Sequence, residues 1–488
     1  MAIIWGITAL NHDASIAVID NSSILFAGHA ERYSRIKNDS KLNSKLVTAA
    51  LEFGKPTEIV WFESSMLKRT RQLYASQYNE IFSETPTSHL KTFGLSDIKF
   101  SAVKHHQSHA ASGYYTSPFT EATIIVIDAI GEWDCVSIWH GKDNTMKKIA
   151  SIRYPNSMGL LYSAFTDRVE LKPNEEEYIL MGMAAYGSPI YTNEIKETFI
   201  NSMQGLQFSL SVNVHRGIRC WRPDLKTEQD YMDIAASIQQ IAEEYIISLV
   251  KESVSLTQCS NIILGGGVAL NCVANEKVAK IYPNIWIIPN PGDSGSAIGA
   301  VAAKYNRKLD WQNPYLGTNI DRQVDYDSIH RLLLNGRIIG FANGRAEFGP
   351  RALGNRSLLA DPRGPLIKDK MNDIKKRQRF RTFAPIILEE FAHQYFDLPV
   401  VSSPYMQFTA KCKYPDIFPA ICHVDNTSRV QTVNEQQNPV IYAILRRFYK
   451  ATNCPMLVNT SLNIKGEPLV DSWHDAIAFS KKHNIPIF

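Results

Sequence analysis

The chain has 488 residues, a formal net charge of +4, 44% hydrophobic residues and 20% charged residues. This composition is typical of a globular protein, the length favours two domains, and so small a charge does not by itself indicate nucleic-acid binding. The seven scattered cysteines lack metal-type spacing, and no apolar run is long enough to span a bilayer, so we expect no disulfide framework, no zinc ribbon and no membrane partner.

The first predicted elements are short apolar runs separated by polar turns. They are Ile3–Leu10, Ala14–Asp20 and Ser23–Gly28. This pattern predicts a meander of strands, so we interpret the N-terminus as a first strand rather than a signal peptide and expect a cytoplasmic location. Ala122–Ile127, followed by Asp128 and a returning strand near Val136–Trp139, loosely repeats the pattern. Two related halves around a nucleotide cleft would produce such a repeat.

Further along the chain, residues 225–256 have apolar positions at helical spacing and predict one long amphipathic helix. A strand at Asn261–Leu264 then leads into the turn Gly265–Asn271. Residues 307–330 contain Pro314, Gly317 and mixed charge, which is typical of a linker. We therefore place one domain at residues 1–315 and a smaller one at 316–488.

Two histidines suggest a metal site. His105 and His109 are four residues apart, so on a helix both rings project from one face and can bind one ion. Asp128 follows a predicted buried strand, and Asp293 lies in a Gly-Ser-rich turn. Two histidines with carboxylates suit iron, manganese or zinc, although a helical histidine pair taken alone is more often structural.

Other turns are candidate ligand-binding segments. His12, in the turn after the first strand, can act as a general base near neutral pH or merely cap its neighbours. Gly265, Gly266, Gly267 and Asn271, and also the turn at Gly292, can present backbone donors to phosphates. Such turns also occur where a helix and a strand pack closely.

The block Gly344–Ser357 contains three arginines, Arg345, Arg351 and Arg356, and three glycines. Arginine forks grip phosphate oxygens, and glycines let backbone N–H groups approach the same oxygens, so the block predicts a phosphate-binding loop. The basic run Lys375–Arg381 follows shortly afterwards. Although a run of charge is usually a solvated face, this proximity favours a pocket for a polyanion.

Several motifs in register resemble those of the O-carbamoyltransferases that modify nodulation factors, cephamycin, tobramycin and ansamycins. These enzymes are related to hydrogenase-maturation carbamoyltransferases and to tRNA threonylcarbamoyl transferases. The matching segments are Asn11–Ser15, His105–Ala111, Ser157–Ser163, Met181–Gly187, Gly265–Asn271, Gly344–Arg363, Arg381–Pro385, Arg429–Val433, and Asn459–Asn463 with Gly466–Pro468. The resemblance covers nearly the whole chain.

The resemblance implies an α/β protein with two domains. The N-terminal domain would have the fold of actin-like ATPases and sugar kinases (the ASKHA fold), and the smaller C-terminal domain would be YrdC-like. The implied reaction joins carbamoyl phosphate and ATP into carbamoyl-adenylate and pyrophosphate in the C-terminal domain. The N-terminal domain would then transfer the carbamoyl group to an acceptor hydroxyl.

The resemblance also implies roles for individual residues. Arg351 and Lys375 would be catalytic and, with Arg381, Arg429, Asn459 and Ser461, would bind carbamoyl phosphate and ATP. The adenylate would contact Gly265, Gly266, Gly267, Asn271 and Gly292. His105, His109, Asp128 and Asp293 would bind one divalent or trivalent metal, with iron preferred over manganese or zinc, and His12 would deprotonate the acceptor. Magnesium would accompany ATP.

Several alternatives stay open at this point. A small-molecule kinase is the main alternative enzyme, and a nucleotide-binding scaffold is the non-enzymatic one. The acceptor is expected to be a sugar or antibiotic-type alcohol, with a hydroxymethylated pyrimidine of a nucleotide or of modified DNA as second choice. Arg219, Trp221 and Arg222 keep a nucleic-acid partner in view, although an ordinary surface loop explains them more simply. A homodimer is also left open.

Overall fold

The computed structural model describes residues 3–488 as a mixed α/β protein of two compact units. The larger unit contains the chain up to Leu25 together with Ser40–Trp311, and the smaller unit contains Phe26–Asp39 together with Gln312–Phe488. None of the helices in the described residues combines the length and the hydropathy needed to cross a membrane.

The first twelve strands lie between residues 3 and 286. They are β1 (Ile3–Thr8), β2 (Ser15–Asp20), β3 (Ser23–His29), β4 (Glu58–Trp61), β5 (Lys99–Ala102), β6 (Glu121–Ile127), β7 (Asp134–Lys142), β8 (Thr145–Arg153), β9 (Ile200–Gln204), β10 (Gln207–Leu210), β11 (Ile262–Gly265) and β12 (Ile285–Trp286). They form two five-stranded sheets and the hairpin β9–β10.

Twelve α-helices begin before residue 300. They are α1 (Ala30–Ser34), α2 (Ser44–Leu51), α3 (Ser65–Tyr74), α4 (Tyr78–Ile81), α5 (Pro86–Lys91), α6 (His105–Thr116), α7 (Met158–Arg168), α8 (Glu177–Met183), α9 (Thr192–Phe199), α10 (Glu228–Thr257), α11 (Cys272–Ile281) and α12 (Ser296–Tyr305). The long helix expected at residues 225–256 is α10, which a Thr227–Asp230 capping box starts.

The two large sheets share one topology. The first has the order β3-β2-β1-β4-β5 and the second the order β8-β7-β6-β11-β12. In the first sheet, the central strand β1 pairs antiparallel with β2 and parallel with β4, and β4 pairs parallel with β5. In the second sheet, the central strand β6 pairs antiparallel with β7 and parallel with β11, and β11 pairs parallel with β12. The larger unit therefore consists of two related halves, as the repeated sequence pattern indicates.

Helix α12 packs closely against α6. A Cβ atom added to Gly299 of α12 would lie 1.8 Å from the carbonyl oxygen of Ser108 in α6, so only glycine permits this approach. Because α6 carries both candidate metal-binding histidines and Asp293 precedes α12, this contact fixes three of the four predicted ligands near one another.

The smaller unit is built around its own sheet. Its remaining elements are β13 (Tyr315–Ile320), α13 (Tyr326–Leu334), β14 (Ile339–Ala342), β15 (Gly344–Glu347), β16 (Arg356–Ala360), α14 (Ile367–Lys375), β17 (Ala384–Leu388), α15 (Ala392–Tyr395), β18 (Phe396–Asp397), β19 (Thr409–Cys412), β20 (Thr427–Arg429), β21 (Gln431–Val433), α16 (Pro439–Thr452), β22 (Met456–Ser461) and α17 (Trp473–His483). The central sheet has the order β14-β16-β22-β17-β21 and carries a continuous apolar core.

Two expectations about chain organisation need correction. The linker expected at residues 307–330 contains β13 and the start of α13, because β13 finds a pairing partner in β15. The segment Phe26–Asp39, placed with the N-terminal domain by its position in the sequence, packs in the smaller unit. Its arginine side chains bond to carbonyl groups there, an attachment that no local pattern reveals.

Candidate functional site

The larger unit brings the four predicted metal ligands together. Nε2 of His105 lies 3.1 Å from Nε2 of His109, 3.2 Å from Oδ2 of Asp128 and 3.4 Å from Oδ1 of Asp293. All four ligand atoms fall within 4.8 Å of one another. Ligand atoms that share one ion at about 2.1 Å are separated by roughly 3–3.5 Å, so the donor set fits a metal.

A second ring of contacts holds these ligands in place. Nδ1 of His109 lies 3.1 Å from the carbonyl oxygen of Pro291, and Nδ1 of His105 lies 3.5 Å from Oε2 of Glu63. The amide of Asn11 donates to Oδ2 of Asp293 over 3.1 Å. Such partners fix the tautomer and orientation of a ligand, which is typical of metal sites.

The electrostatics of the cluster also suit a cation. Burial lowers the pKa of His105, but Asp293, Asp128 and Glu63 more than offset this effect and hold that pKa well above its usual value. Burial raises the pKa of Asp128, whereas hydrogen bonds from the two histidines outweigh it and lower that pKa. The buried carboxylate of Asp128 and the half-buried carboxylate of Asp293 thus create a negative potential at the histidine nitrogens.

His12 lies beside this cluster. Its neighbour Asn11 holds Asp293, and its own Nδ1 lies 3.1 Å from Oδ2 of Asp13. Burial lowers the pKa of His12, but the hydrogen bond and charge of Asp13 dominate and raise it to about 9. His12 must lose this proton to act as a base, and a cation held near Asp293 would favour that loss.

The glycine turn has a different role from the phosphate contact expected of it. The N–H of Gly266 donates to the carbonyl of Pro291 over 2.9 Å, and the N–H of Gly267 donates to Oδ1 of Asp128 over 3.1 Å. Gly266 has φ +83°, and an added Cβ would lie 2.3 Å from the carbonyl oxygen of Ile127. The turn therefore supports the candidate metal ligand Asp128 and does not direct these two donors at a phosphate.

The other two residues expected at the adenylate differ from each other. The Asn271 side chain caps α11 through Ala274 and also bonds to Gln239, so its polar atoms have partners within the protein. Gly292 has open space where a Cβ would be. Of the residues expected at the adenylate, Gly292 has the surroundings that best suit contact with a ligand.

In the smaller unit, the topology gathers the predicted anion-binding residues at one edge of the central sheet. Strands β16 and β17 both pair antiparallel with β22, and β21 pairs parallel with β17, so the starts of these three strands lie at the same edge of the sheet as the end of β22. Arg351, Arg381 and Arg429 lie just before these starts, and Ser461 is the last residue of β22. Residues far apart in the sequence therefore converge.

Lys375 reaches the same edge from the end of α14. Its Nζ donates to the carbonyl oxygen of Ser461 over 2.6 Å, to Oγ of Ser461 over 3.0 Å and to Oδ1 of Asn463 over 2.6 Å. Burial, together with the nearby Arg377 and Arg381, lowers the pKa of Lys375 well below its usual value. All its partners are neutral, so an anion at this edge would stabilise the charged form.

Two of the three arginines in the block Gly344–Ser357 form hydrogen bonds within the protein. The expectation that all three arginines bind an anion therefore needs correction. Arg356 is fully buried and donates to five carbonyl groups, and Arg345 donates to the carbonyls of Leu316 and Gly317. These side chains have internal partners because the loop folds over them. A ligand-binding role for Arg351 stays a prediction from the motif.

An internal carboxylate also occupies the backbone donors of this block. Oε1 of Glu347 accepts hydrogen bonds from the N–H groups of Leu353, Asn355 and Arg356 over 2.8, 2.8 and 3.3 Å. The expectation that glycines free these donors for phosphate is therefore wrong for this part of the loop. Asn459, 1% exposed, supports the same loop by donating to the carbonyl of Ala352 and to Gln431.

The loop that raised the nucleic-acid alternative is held by internal contacts. Arg219 forms a bidentate ion pair with Asp167, and Arg222 pairs with Glu194 and Asp224. The Trp221 ring packs edge-on against Phe165 and Phe199, with centroids 5.4 and 5.9 Å away. These pairs favour the simpler interpretation of an ordinary surface loop.

Sequence reasoning missed several residues that shape the two sites. They are Asn11, Glu63, Glu347 and Asn463. Asn11, Glu347 and Asn463 lie within the matching motif segments, so the motifs were a usable signal. Glu63 acts through a contact with His105, 42 residues away, and carries no comparable signal.

Two family models match successive parts of the chain. A family model described as the carbamoyltransferase N-terminus matches residues 62–302, and one described as the carbamoyltransferase C-terminus matches residues 330–488.

Three related proteins match over nearly all of this chain. An uncharacterised Synechocystis protein is 34% identical over 98% of this chain and 94% of its own length. The nodulation protein NolNO of Sinorhizobium fredii is 31% identical over 96% of this chain and 76% of its own length. A 3'-hydroxymethylcephem-O-carbamoyltransferase of Amycolatopsis lactamdurans is 25% identical over 97% of this chain and 95% of its own length.

Solved structures are more distant. HypF of T. kodakarensis matches with a TM-score of 0.36 and 14% identity, over 62% of this chain and 47% of that chain. Component A of the Acidaminococcus fermentans (R)-2-hydroxyglutaryl-CoA dehydratase matches with a TM-score of 0.35 and 12% identity. The match covers 63% of this chain and 98% of that chain.

Proposed function

Because this chain belongs to the carbamoyltransferase family, we propose that it is an ATP-dependent O-carbamoyltransferase that acts through carbamoyl-adenylate. The observation that carries this proposal is the convergence of Lys375, Ser461 and three arginines at one sheet edge of the smaller unit. Joining two phosphorylated reagents requires cations that offset their mutual repulsion. The YrdC-like assignment of this unit belongs to the same proposal.

The first reaction takes place at this cationic edge. Water releases inorganic phosphate from carbamoyl phosphate and leaves carbamate, whose oxygen attacks the α-phosphorus of magnesium-bound ATP. Carbamoyl-adenylate forms, and pyrophosphate leaves. Arg351, Arg381 and Arg429 bind the phosphate groups, while Lys375 and Ser461 orient the reacting oxygens.

The second reaction uses the larger unit. His12 accepts the proton of the acceptor hydroxyl, whose oxygen attacks the carbamoyl carbon, and AMP leaves. A metal held by His105, His109, Asp128 and Asp293, for which iron is our choice, would supply Lewis-acid polarisation. Asn11 keeps Asp293 oriented, and Gly267 does the same for Asp128. Gly292 is the residue of the glycine turns that we place nearest the adenylate.

For the acceptor, we favour an alcohol on a small molecule. The Amycolatopsis relative is named for transfer to a hydroxymethyl group of a cephem, which supports an alcohol acceptor in this family. A hydroxymethylated pyrimidine is the weaker choice because Arg219 and Arg222 are paired with carboxylates.

Product analysis separates this proposal from a kinase. The protein, purified with its metal, is incubated with carbamoyl phosphate, magnesium-ATP and a panel of alcohols, and the products are followed by phosphorus NMR and mass spectrometry. We expect inorganic phosphate, pyrophosphate and AMP in equal amounts, and an acceptor heavier by one carbamoyl group. ADP without pyrophosphate would instead indicate phosphoryl transfer, and the proposal would be rejected.

A further inference from the structure

The segment Phe26–Asp39 attaches to two loops of the smaller unit. Arg32, in α1, donates through Nη2 to the carbonyl oxygen of Gly349 over 2.8 Å. Arg35, at the end of α1, donates to the carbonyl oxygens of Leu469 and Pro468 over 2.6 and 2.9 Å. Residues from the first tenth of the chain thus hold loops that lie more than three hundred residues later.

Both loops border the cationic sheet edge. Gly349 is two residues before Arg351, which precedes β16. Leu469 is followed by Val470, whose N–H donates over 3.1 Å to the carbonyl of Leu462, the residue directly after Ser461. The segment therefore contacts the chain on either side of the candidate anion site.

Arg32 is buried, and part of its guanidinium lacks hydrogen-bond partners. Arg32 is 4% exposed, and its Nε and Nη1 atoms are buried without a hydrogen bond in the part of the chain that the structure describes. The nearest charge is Oε1 of Glu31, 3.6 Å from Nε, and the other carboxylate oxygen of Glu31 already binds Lys37 and the N–H of Asn38. Arg356, which is also buried, donates to carbonyl groups instead.

A buried guanidinium with donors left over is costly unless a further acceptor completes its hydrogen bonds. The planar fork of arginine matches the oxygens of a phosphate group, which carry the charge that a buried cation needs. Arg32 is held by its bond to the loop of Arg351, so an anion bound to that loop would be close to these donors.

We propose that Arg32 is a phosphate-binding residue of the smaller unit, and that it is the side chain through which the segment Phe26–Asp39 reaches this anion site. The identity of the ligand, a phosphate group of carbamoyl phosphate or of ATP, rests on the proposed function. The binding of phosphate to Arg32 does not depend on turnover.

Calorimetric titration of the full chain with inorganic phosphate, pyrophosphate and a non-hydrolysable ATP analogue tests this inference. Arg32→Gln should weaken binding of at least one of these probes by about tenfold or more, since a hydrogen bond to a charged group contributes roughly 1.5–3 kcal/mol. The probe that is affected distinguishes a single phosphate from the polyphosphate of a nucleotide.

Arg35→Gln is the matched control. The Arg35 guanidinium bonds to two carbonyl groups, so its loss should lower the melting temperature of the protein. The dissociation constants of the three probes should stay within about twofold of the wild-type values, because Arg35 makes no contact with the ligand. If Arg32→Gln fails to fold, Arg32→Lys keeps the charge and should weaken binding about threefold through loss of the fork.

Equal dissociation constants for wild type and the Arg32 variant, or no binding of any probe by wild type, would overturn the inference. These outcomes are distinct from failure of the proposed function. If the protein releases no pyrophosphate but Arg32→Gln still weakens phosphate binding, the proposed reaction is wrong and the proposed binding site is supported. If pyrophosphate forms and Arg32→Gln binds all three probes with wild-type affinity, the proposed role of Arg32 is wrong and the proposed reaction is supported.

Discussion

The backbone N–H of Gly267 donates a hydrogen bond to Oδ1 of Asp128 over 3.1 Å, which leaves Oδ2 of this carboxylate 3.2 Å from Nε2 of His105. A turn made almost without side chains thereby orients a candidate metal ligand. The glycine run, which resembles a phosphate loop in the sequence, supports the candidate metal cluster in the structure.

Gly266→Ala should disrupt this support. The new Cβ would lie 2.3 Å from the carbonyl oxygen of Ile127 at φ +83°, and such strain costs about 1–3 kcal/mol. We expect a lower melting temperature and less metal per chain, measured by elemental analysis after dialysis. Gly292→Ala, which has open space at its Cβ, is the control and should keep both. Equal metal content in the two variants would contradict the role of the turn.

Asp293→Asn should weaken metal binding by about tenfold or more, because it replaces a charged ligand with a neutral one. Titration of the metal-stripped protein with iron(II), manganese(II) and zinc(II) measures this effect. Asp310→Asn changes an exposed carboxylate that bonds to Ser22 and should leave affinity unchanged. An unaltered affinity in the Asp293 variant would remove this residue from the ligand set.

Lys375→Met should reduce carbamoyl-phosphate-dependent formation of pyrophosphate by about a hundredfold, the effect typical of losing one preorganised charge at a reacting centre. The buried amine contacts Ser461 and Asn463 at the sheet edge. The adjacent Lys376 is exposed, so Lys376→Met is a control with the same chemical change. Comparable rates in the two variants would argue against a site at this edge.

Arg351→Ala and His12→Asn should fail at different partial reactions. The arginine variant should not form carbamoyl-adenylate but should still transfer from carbamoyl-adenylate that is supplied. The histidine variant should release pyrophosphate but should not carbamoylate the acceptor. Rapid-quench assays of each half-reaction measure the separation. Loss of the same half-reaction in both variants would show that the division of labour is wrong.

Glu31→Gln should change the acid stability of the protein. Burial raises the pKa of Glu31, but the charges of Lys37 and Arg32 outweigh it and lower that pKa to about 2. Because the folded-state pKa lies below that of the unfolded chain, this carboxylate stabilises the fold near neutral pH. The contribution, at most about 3 kcal/mol, is lost as the pH falls from about 4.5 towards 2.

The measurement is the free energy of urea unfolding of wild type and variant between pH 7 and pH 3. The difference between them should shrink as the solution is acidified. Glu52→Gln, at an exposed carboxylate, should follow wild type throughout. A difference that is constant with pH would mean that the charge of Glu31 is not what stabilises the fold.

Much of this protein follows from local pattern and motif. The strands β1, β2, β6 and β11 are visible as continuous apolar runs because both of their faces are buried, and the helix α10 is visible as an apolar stripe because it buries one side. The His105–His109 pair is equally local, since four residues make about one helical turn. The motif set also predicted the family to which the chain belongs.

Other features were decided only by tertiary structure. The sequence shows three arginines in one block, but only the folded loop reveals that Arg356 and Arg345 are taken up by carbonyl groups and that Glu347 occupies the backbone donors. Likewise, Phe26–Asp39 joins the smaller unit through Arg32 and Arg35. Periodicity reports which side of an element is buried, whereas a hydrogen bond across three hundred residues depends on where the whole chain brings its donors and acceptors.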